Sequence, residues 1–139
     1  MKKYFFIGIF GFLGAISRYY IKTHGFHFYN GLFPINTIFI NLLGAFIIAF
    51  FLTAAVRTQF ISEEWRLGIA TGFLGAFTTF STLCKESVLL LLSGHIDVFF
   101  QYTVLSVVLG LFVVYLGNAS FNLIYSYSYK ATNAERKDA

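Results

Sequence analysis

The chain is poor in charge. Asp, Glu, Lys and Arg make up 12% of its 139 residues, about half the share found in soluble domains. That is too little to cover a water-facing surface, and disorder requires the opposite composition. Residues 1–62 contain no Asp or Glu at all. A single cysteine, Cys84, excludes an intrachain disulfide and any zinc site built on cysteines. The length excludes a multidomain enzyme. No nucleophile–base pair or cofactor motif appears, so catalysis is not expected. Basic residues exceed acidic ones, giving a net charge of +4. They are scattered between apolar runs with no basic stripe, so they read as topology signals and not as a nucleic-acid surface. His24, His27 and His95 lie outside the apolar runs and read as loop residues.

What the chain has is apolar and aromatic. Hydrophobic residues reach 58% and aromatics 21%, with 19 Phe and 9 Tyr. Residues 4–21 carry one charge, Arg18, and residues 34–56, 67–84 and 98–129 carry none. A helix crossing the hydrocarbon core needs about 20 residues. Each run therefore suits one crossing. The chain is predicted to be an all-α, multi-pass membrane domain, with helices near residues 4–22, 34–56, 66–92 and 98–122. Lys2 and Lys3 before the first run would also suit a secretory signal, but no small-residue cleavage site precedes Arg18 and three more spans follow.

The connections are short. Ser62, Glu63 and Glu64 look like the start of the third helix. Residues 130–139 form a polar tail, expected to fray. Tyr125, Tyr127 and Tyr129 fall where an interfacial aromatic belt is expected. An even number of spans puts both termini on one side, with Lys2, Lys3, Arg57, Arg66, Lys130, Arg136 and Lys137. The other side claims Lys22, with Arg18 and Lys85 near helix ends. Without the tail the tally is four against three, which leans towards cytoplasmic termini without fixing them.

Polar residues inside the spans are costly and mark function. In the second helix, Thr37, Asn41 and Gly44 share one face. Asn41 there either ties two helices together or lines a passage. The third helix holds Gly72, Gly75, Thr78, Thr79, Ser81 and Thr82 within eleven residues. Glycine weakens a helix, and hydroxyls can satisfy freed backbone groups, so a break is predicted around residues 75–79. The competing reading is a small-residue packing helix. Thr79, Thr82 and Glu86 continue as a polar ladder, and Tyr102, Ser106 and Gly110 share a face of the fourth helix. Gly11 and Ala15 form a small-residue pair suited to close helix contact. With no acid before Glu86 in any span, the hydroxyl and amide faces favour a narrow passage for a small anion or neutral polar solute.

Four motifs in order resemble the Fluc/CrcB fluoride channel family along nearly the whole chain. They are Gly11-x-x-Gly14-Ala15-x-x-Arg18-Tyr19, Pro34-x-x-Thr37-x-x-x-Asn41-x-x-Gly44, Gly72-Phe73-x-Gly75-x-x-Thr78-Thr79-Phe80-Ser81-Thr82 with Glu86, and Tyr102-x-x-x-Ser106-x-x-x-Gly110. The resemblance implies a passive, fluoride-exporting channel in the cell membrane, built as an antiparallel, dual-topology homodimer. A heterodimer with a related subunit is the variant form. It implies pore roles for Asn41, Phe80, Thr79, Ser81, Thr82, Tyr102 and Ser106. It also implies a structural Na⁺ at the dimer axis on the carbonyls of Gly75 and Thr78, and recurring charged positions at Arg18 and Glu86. One departure stands out: the family usually carries a second pore aromatic where this chain has Leu83. The alternatives are a small dual-topology multidrug or guanidinium exporter, which would need a first-helix carboxylate, and a structural membrane protein.

Overall fold

The computed structural model describes residues 2–26, 31–58 and 61–138, with side chains described as far as Tyr129. His27 and part of the first predicted turn lie outside the described residues, as do residues 59–60 of the second. Four helical spans follow one another, and no strand occurs among the described residues. The first is α1, Lys2–His24, and the second α2, Ile35–Thr58. The third is assembled in pieces: α3 Glu63–Leu67, a π-helical stretch Gly68–Leu74, α4 Gly75–Phe77 and α5 Phe80–Leu92. The last is α6, Ile96–Asp138. Its helical backbone runs through most of the segment expected to be a frayed tail.

Each span carries a long, strongly apolar stretch, as a helix must when lipid surrounds part of it. Only 6–28% of each apolar stretch is buried within the chain. Aromatic and aliphatic side chains such as Phe12, Val56, Leu92 and Leu111 point outwards, each at least 66% exposed. In water so large an apolar surface would drive aggregation; in a bilayer it is the required lipid-facing surface. The chain is a multi-pass membrane protein.

Without a hydrophobic force between helices in lipid, close packing needs small residues at the contacts. Gly14 is buried against the Phe73 backbone, where any Cβ would collide with the Phe73 carbonyl. A Cβ on Gly72 would lie 2.7 Å from the Ile7 carbonyl oxygen and 3.2 Å from the Gly11 amide nitrogen. So α1 presses backbone to backbone on the π-helical stretch, through Gly14 and through the predicted Gly11, which faces Gly72. On the other side α2 runs along α6, with Gly117 against the Phe46 carbonyl.

Turn chemistry closes the ends. Ser62 occupies the N-cap position of α3, but its side chain makes no bond to the helix backbone. Glu63 in the first turn pairs instead with Lys3 at 2.6 Å. After α5, the His95 N–H reaches the Leu90 carbonyl and the Gly94 N–H the Leu91 carbonyl. With Gly94 at φ +78° this is a Schellman ending, which turns the chain sharply into α6. The largest fully buried side chains are Thr37 and Ile40 on α2, Leu74 in the third span and Tyr102 on α6.

Candidate functional site: a broken helix beside a neutral groove

Thr78 (φ −77°, ψ 157°) and Thr79 (φ −149°, ψ 107°) are extended, and they divide α4 from α5. An unbroken helix would send the Thr79 N–H to the Gly75 carbonyl and the Thr82 N–H to the Thr78 carbonyl. Here the Thr79 N–H donates to Asn41 Oδ1 at 2.8 Å, and the Thr82 N–H to Thr79 Oγ1 at 3.2 Å. Both diversions release a carbonyl, and the two are those of Gly75 and Thr78. Asn41 completes its clasp by donating Nδ2–H to the Thr79 carbonyl at 3.1 Å. One amide side chain on α2 thus pairs with both backbone groups of one residue, as a neighbouring strand would. Asn41 is first of all the clamp that holds the break open.

The hydroxyls around the break are tied to one another. Thr79 Oγ1 donates to Thr82 Oγ1 at 2.9 Å and lies 3.3 Å from Ser81 Oγ. Thr78 donates to the Leu74 carbonyl at 2.9 Å, and its methyl sits where a Cβ on Gly44 would have to go. The carbonyl end of α4 and the N–H end of α5 meet here. The first favours a cation and the second an anion.

Beside the break, α2, α5 and α6 enclose an open groove of about 640 Å³. Asn41, Phe80, Leu83, Thr103, Ser106 and Gly110 are on its walls, and among the described residues no charged side chain is. Phe80, the first residue of α5, stands 78% exposed at its edge. On the far side of Asn41 and Phe80 a second recess of about 340 Å³ is lined by Gly44, Gly75, Thr78 and Thr79. Asn41 and Phe80 therefore separate an anion-compatible groove from the released carbonyls.

Glu86 belongs to a different cluster. Its Oε1 accepts from Lys22 Nζ at 2.9 Å and from Thr37 Oγ1 at 3.0 Å, and its Oε2 accepts from Tyr102 OH at 2.9 Å. One carboxylate joins α1, α2, α5 and α6. The carboxylate is only partly buried, and its charge is tolerated there because it is both paired and hydrogen-bonded. The expected ladder Thr79–Thr82–Glu86 thus divides, its upper two members serving the break and Glu86 the helix junction. Tyr102 is fully buried with its OH committed to Glu86, and it is not on the groove wall. Ser106 is on the wall but donates to its own helix, to the Tyr102 carbonyl at 2.6 Å. Arg18 is half-buried and makes no ion pair among the described residues.

The structure brings Asn41, Thr79, Ser81, Thr82 and Phe80 together at the break and places Leu83 and Ser106 along the groove. Lys22 and the two groove hydroxyls of Ser87 and Thr103 carry no motif of their own. Ser87 lies one turn beyond Leu83, which is the one sequence signal that could have placed it on this wall.

Residues 5–118 match the family described as CrcB-like protein, Camphor Resistance (CrcB). Among curated proteins the chain is 40% identical over 114 residues to fluoride-specific ion channel FluC 1 of Bacillus cereus, covering 82% of this chain and 79% of that one. It is 36% identical over 133 residues to FluC 2 of Carboxydothermus hydrogenoformans, covering 96% and 97% of the two chains. It is 36% identical over 124 residues to FluC of Geotalea daltonii, covering 89% of this chain and the whole of that protein. With a clamped helix break, a neutral donor-bearing groove and this breadth of likeness, the chain belongs to the CrcB family.

Proposed function

We infer that this protein is a fluoride-selective, passive ion channel that exports cytoplasmic fluoride and so confers fluoride resistance. The observation that carries the reading is the Asn41–Thr79 clamp. It fixes the start of α5, with its N–H groups and hydroxyls, beside a groove that no charged side chain lines among the described residues. Fluoride is small and strongly hydrated, and removing its water is expensive unless fixed donors replace it. Phe80 adds an aromatic edge, the positive part of the ring quadrupole. Chloride is larger and gains less from a close-fitting donor set. No pump is needed: a cell-negative potential is worth about 2.3 kcal/mol per charge per 100 mV, roughly a 40-fold concentration ratio. A multidrug or guanidinium exporter is disfavoured, because Glu86 is held by three partners and no acid precedes Glu63.

The working unit in this reading is an antiparallel homodimer. The four-against-three tally of basic residues lets a subunit insert either way. A Na⁺ at the dimer axis fits the donor set. Sodium prefers hard oxygen ligands, and the Gly75 and Thr78 carbonyls have lost their helical donors to Asn41 and Thr79. When bound, such an ion would neutralise the carbonyl end of α4 at the break. Efflux from liposomes containing only this chain tests the function. Electrogenic fluoride release with chloride retained is expected; equal fluoride and chloride currents refute it. A crystal grown in sodium with no ion density at these carbonyls refutes the sodium assignment alone.

A further inference from the structure

Several hydroxyl side chains in this protein bond back to a carbonyl of their own segment. Ser17, Thr23, Thr53, Thr58, Thr78 and Ser106 each donate to the carbonyl four residues back, at 2.6–2.9 Å. Ser87 on α5 and Thr103 on α6 do not. Ser87 is only 8% exposed, yet its Oγ is buried without a hydrogen-bond partner, and so is Thr103 Oγ1. Both residues line the groove, from different helices. Buried polar groups are normally satisfied, so two unsatisfied hydroxyls on one wall point to something bound between them.

The groove specifies its sign. Each hydroxyl has an unused O–H to donate. Asn41 adds an N–H, because only one of its two is engaged with Thr79. Ser106 has already given its O–H to the Tyr102 carbonyl. Glu86, the neighbour of Ser87 in sequence, is turned to Lys22, Thr37 and Tyr102 and does not line the groove. The free donors therefore face an uncharged, otherwise apolar space, which suits a small anion. Ser87 follows Leu83 by four residues on the same face of α5, about 6 Å further along. It stands just beyond the position at which this chain carries an aliphatic residue in place of a ring.

We propose that the hydroxyls of Ser87 and Thr103 together hold a fluoride ion in the groove, and so supply an anion contact that Leu83 cannot. The proposal rests on the fluoride-channel reading. Its test uses the purified full-length protein in liposomes, with the variants Ser87→Ala, Thr103→Val and the pair, and with Ser87→Thr and Thr103→Ser as variants that keep the hydroxyl. Fluoride efflux should fall at least fivefold in each single deletion variant and at least tenfold in the pair, while the hydroxyl-keeping variants retain half the wild-type rate or more. Added fluoride should raise the melting temperature of the wild type, and the pair should lose most of that rise. If the pair matches wild type in efflux and in its melting response, the hydroxyls hold only water and the proposal fails. If Thr103→Ser is as damaging as Thr103→Val, and Ser87→Thr as damaging as Ser87→Ala, the two residues serve packing alone and it fails as well. A wild type that carries no fluoride overturns the channel reading itself, a distinguishable result.

Discussion

Replacing Asn41 separates its two tasks. Asn41→Ala removes both bonds to Thr79, at 2.8 and 3.1 Å, and leaves a backbone N–H and C=O without partners. Thr79 is only 7% exposed, so each orphaned group costs about 1–3 kcal/mol. Asn41→Asp keeps an acceptor for the Thr79 N–H but turns a carboxylate oxygen on the Thr79 carbonyl and places an unpaired charge in the span, so it should destabilise as well. Conduction separates the two variants. A carboxylate about 5 Å from a passing anion, at an effective permittivity of about 20, raises its energy by about 3 kcal/mol, a loss of roughly 200-fold. Alanine introduces no charge and should retain several-fold more flux than Asp. Both variants should therefore melt below wild type, and the expected order of fluoride efflux is wild type, Ala, Asp. Detergent melts and liposome efflux on the same preparations read both. If Asp carries as much fluoride as Ala or more, Asn41 is a structural clamp with no influence on the ion, and the electrostatic part of the reasoning is wrong.

Phe80→Ile should damage conduction more than Leu83→Ala. Phe80 is 78% exposed and offers a ring edge, whereas Leu83 supplies only shape to the groove wall; the reverse order in matched liposomes would make Leu83 a constriction. Gly14→Ala should destabilise the fold by about 1–3 kcal/mol, because the new methyl meets the Phe73 backbone. Gly8→Ala, with nothing within 4 Å, should be neutral or stabilising by up to about 1 kcal/mol; equal melting shifts for the two would contradict the close packing of α1. Glu86→Gln should cost about 1.5–3 kcal/mol, the worth of a hydrogen bond to a charged group, and Lys22→Met should cost less in the mutant background than alone if the two act as a pair.

The four spans were legible because charge-free runs of crossing length are a coarse signal that tertiary packing does not alter. The break was legible too, since Gly75 and the hydroxyl run Thr78–Thr82 weaken a helix locally. The shared face of Thr37, Asn41 and Gly44 also holds: the first bonds Glu86, the second clasps Thr79 and the third receives Thr78. What each would touch was hidden, because Asn41 and Thr79 are 38 residues apart and Thr37 and Glu86 are 49 apart. Periodicity places residues on faces but does not say which face meets which. The π-helical stretch Gly68–Leu74 has no sequence signature of its own; it accompanies the backbone contact between Gly72 and α1. Tyr102 and Ser106 illustrate the same limit. They share a helical face in sequence, yet one turns inwards to a carboxylate and the other lies on the groove.

The length of α6 turns the question of subunit orientation into a measurement of distance. Its 43 residues extend about 65 Å at 1.5 Å each, about twice the 30 Å hydrocarbon core. With residue 110 near the bilayer centre, Asp138 would be held about 42 Å away from it by continuous helix. In an opposed pair the two far ends would stand about 85 Å apart, across the membrane, and in a parallel pair they would sit side by side. Donor and acceptor dyes on a cysteine at position 138, with the exposed native Cys84 replaced, would transfer almost no energy in the first arrangement and much in the second. The last helix is in effect a ruler fixed to each subunit.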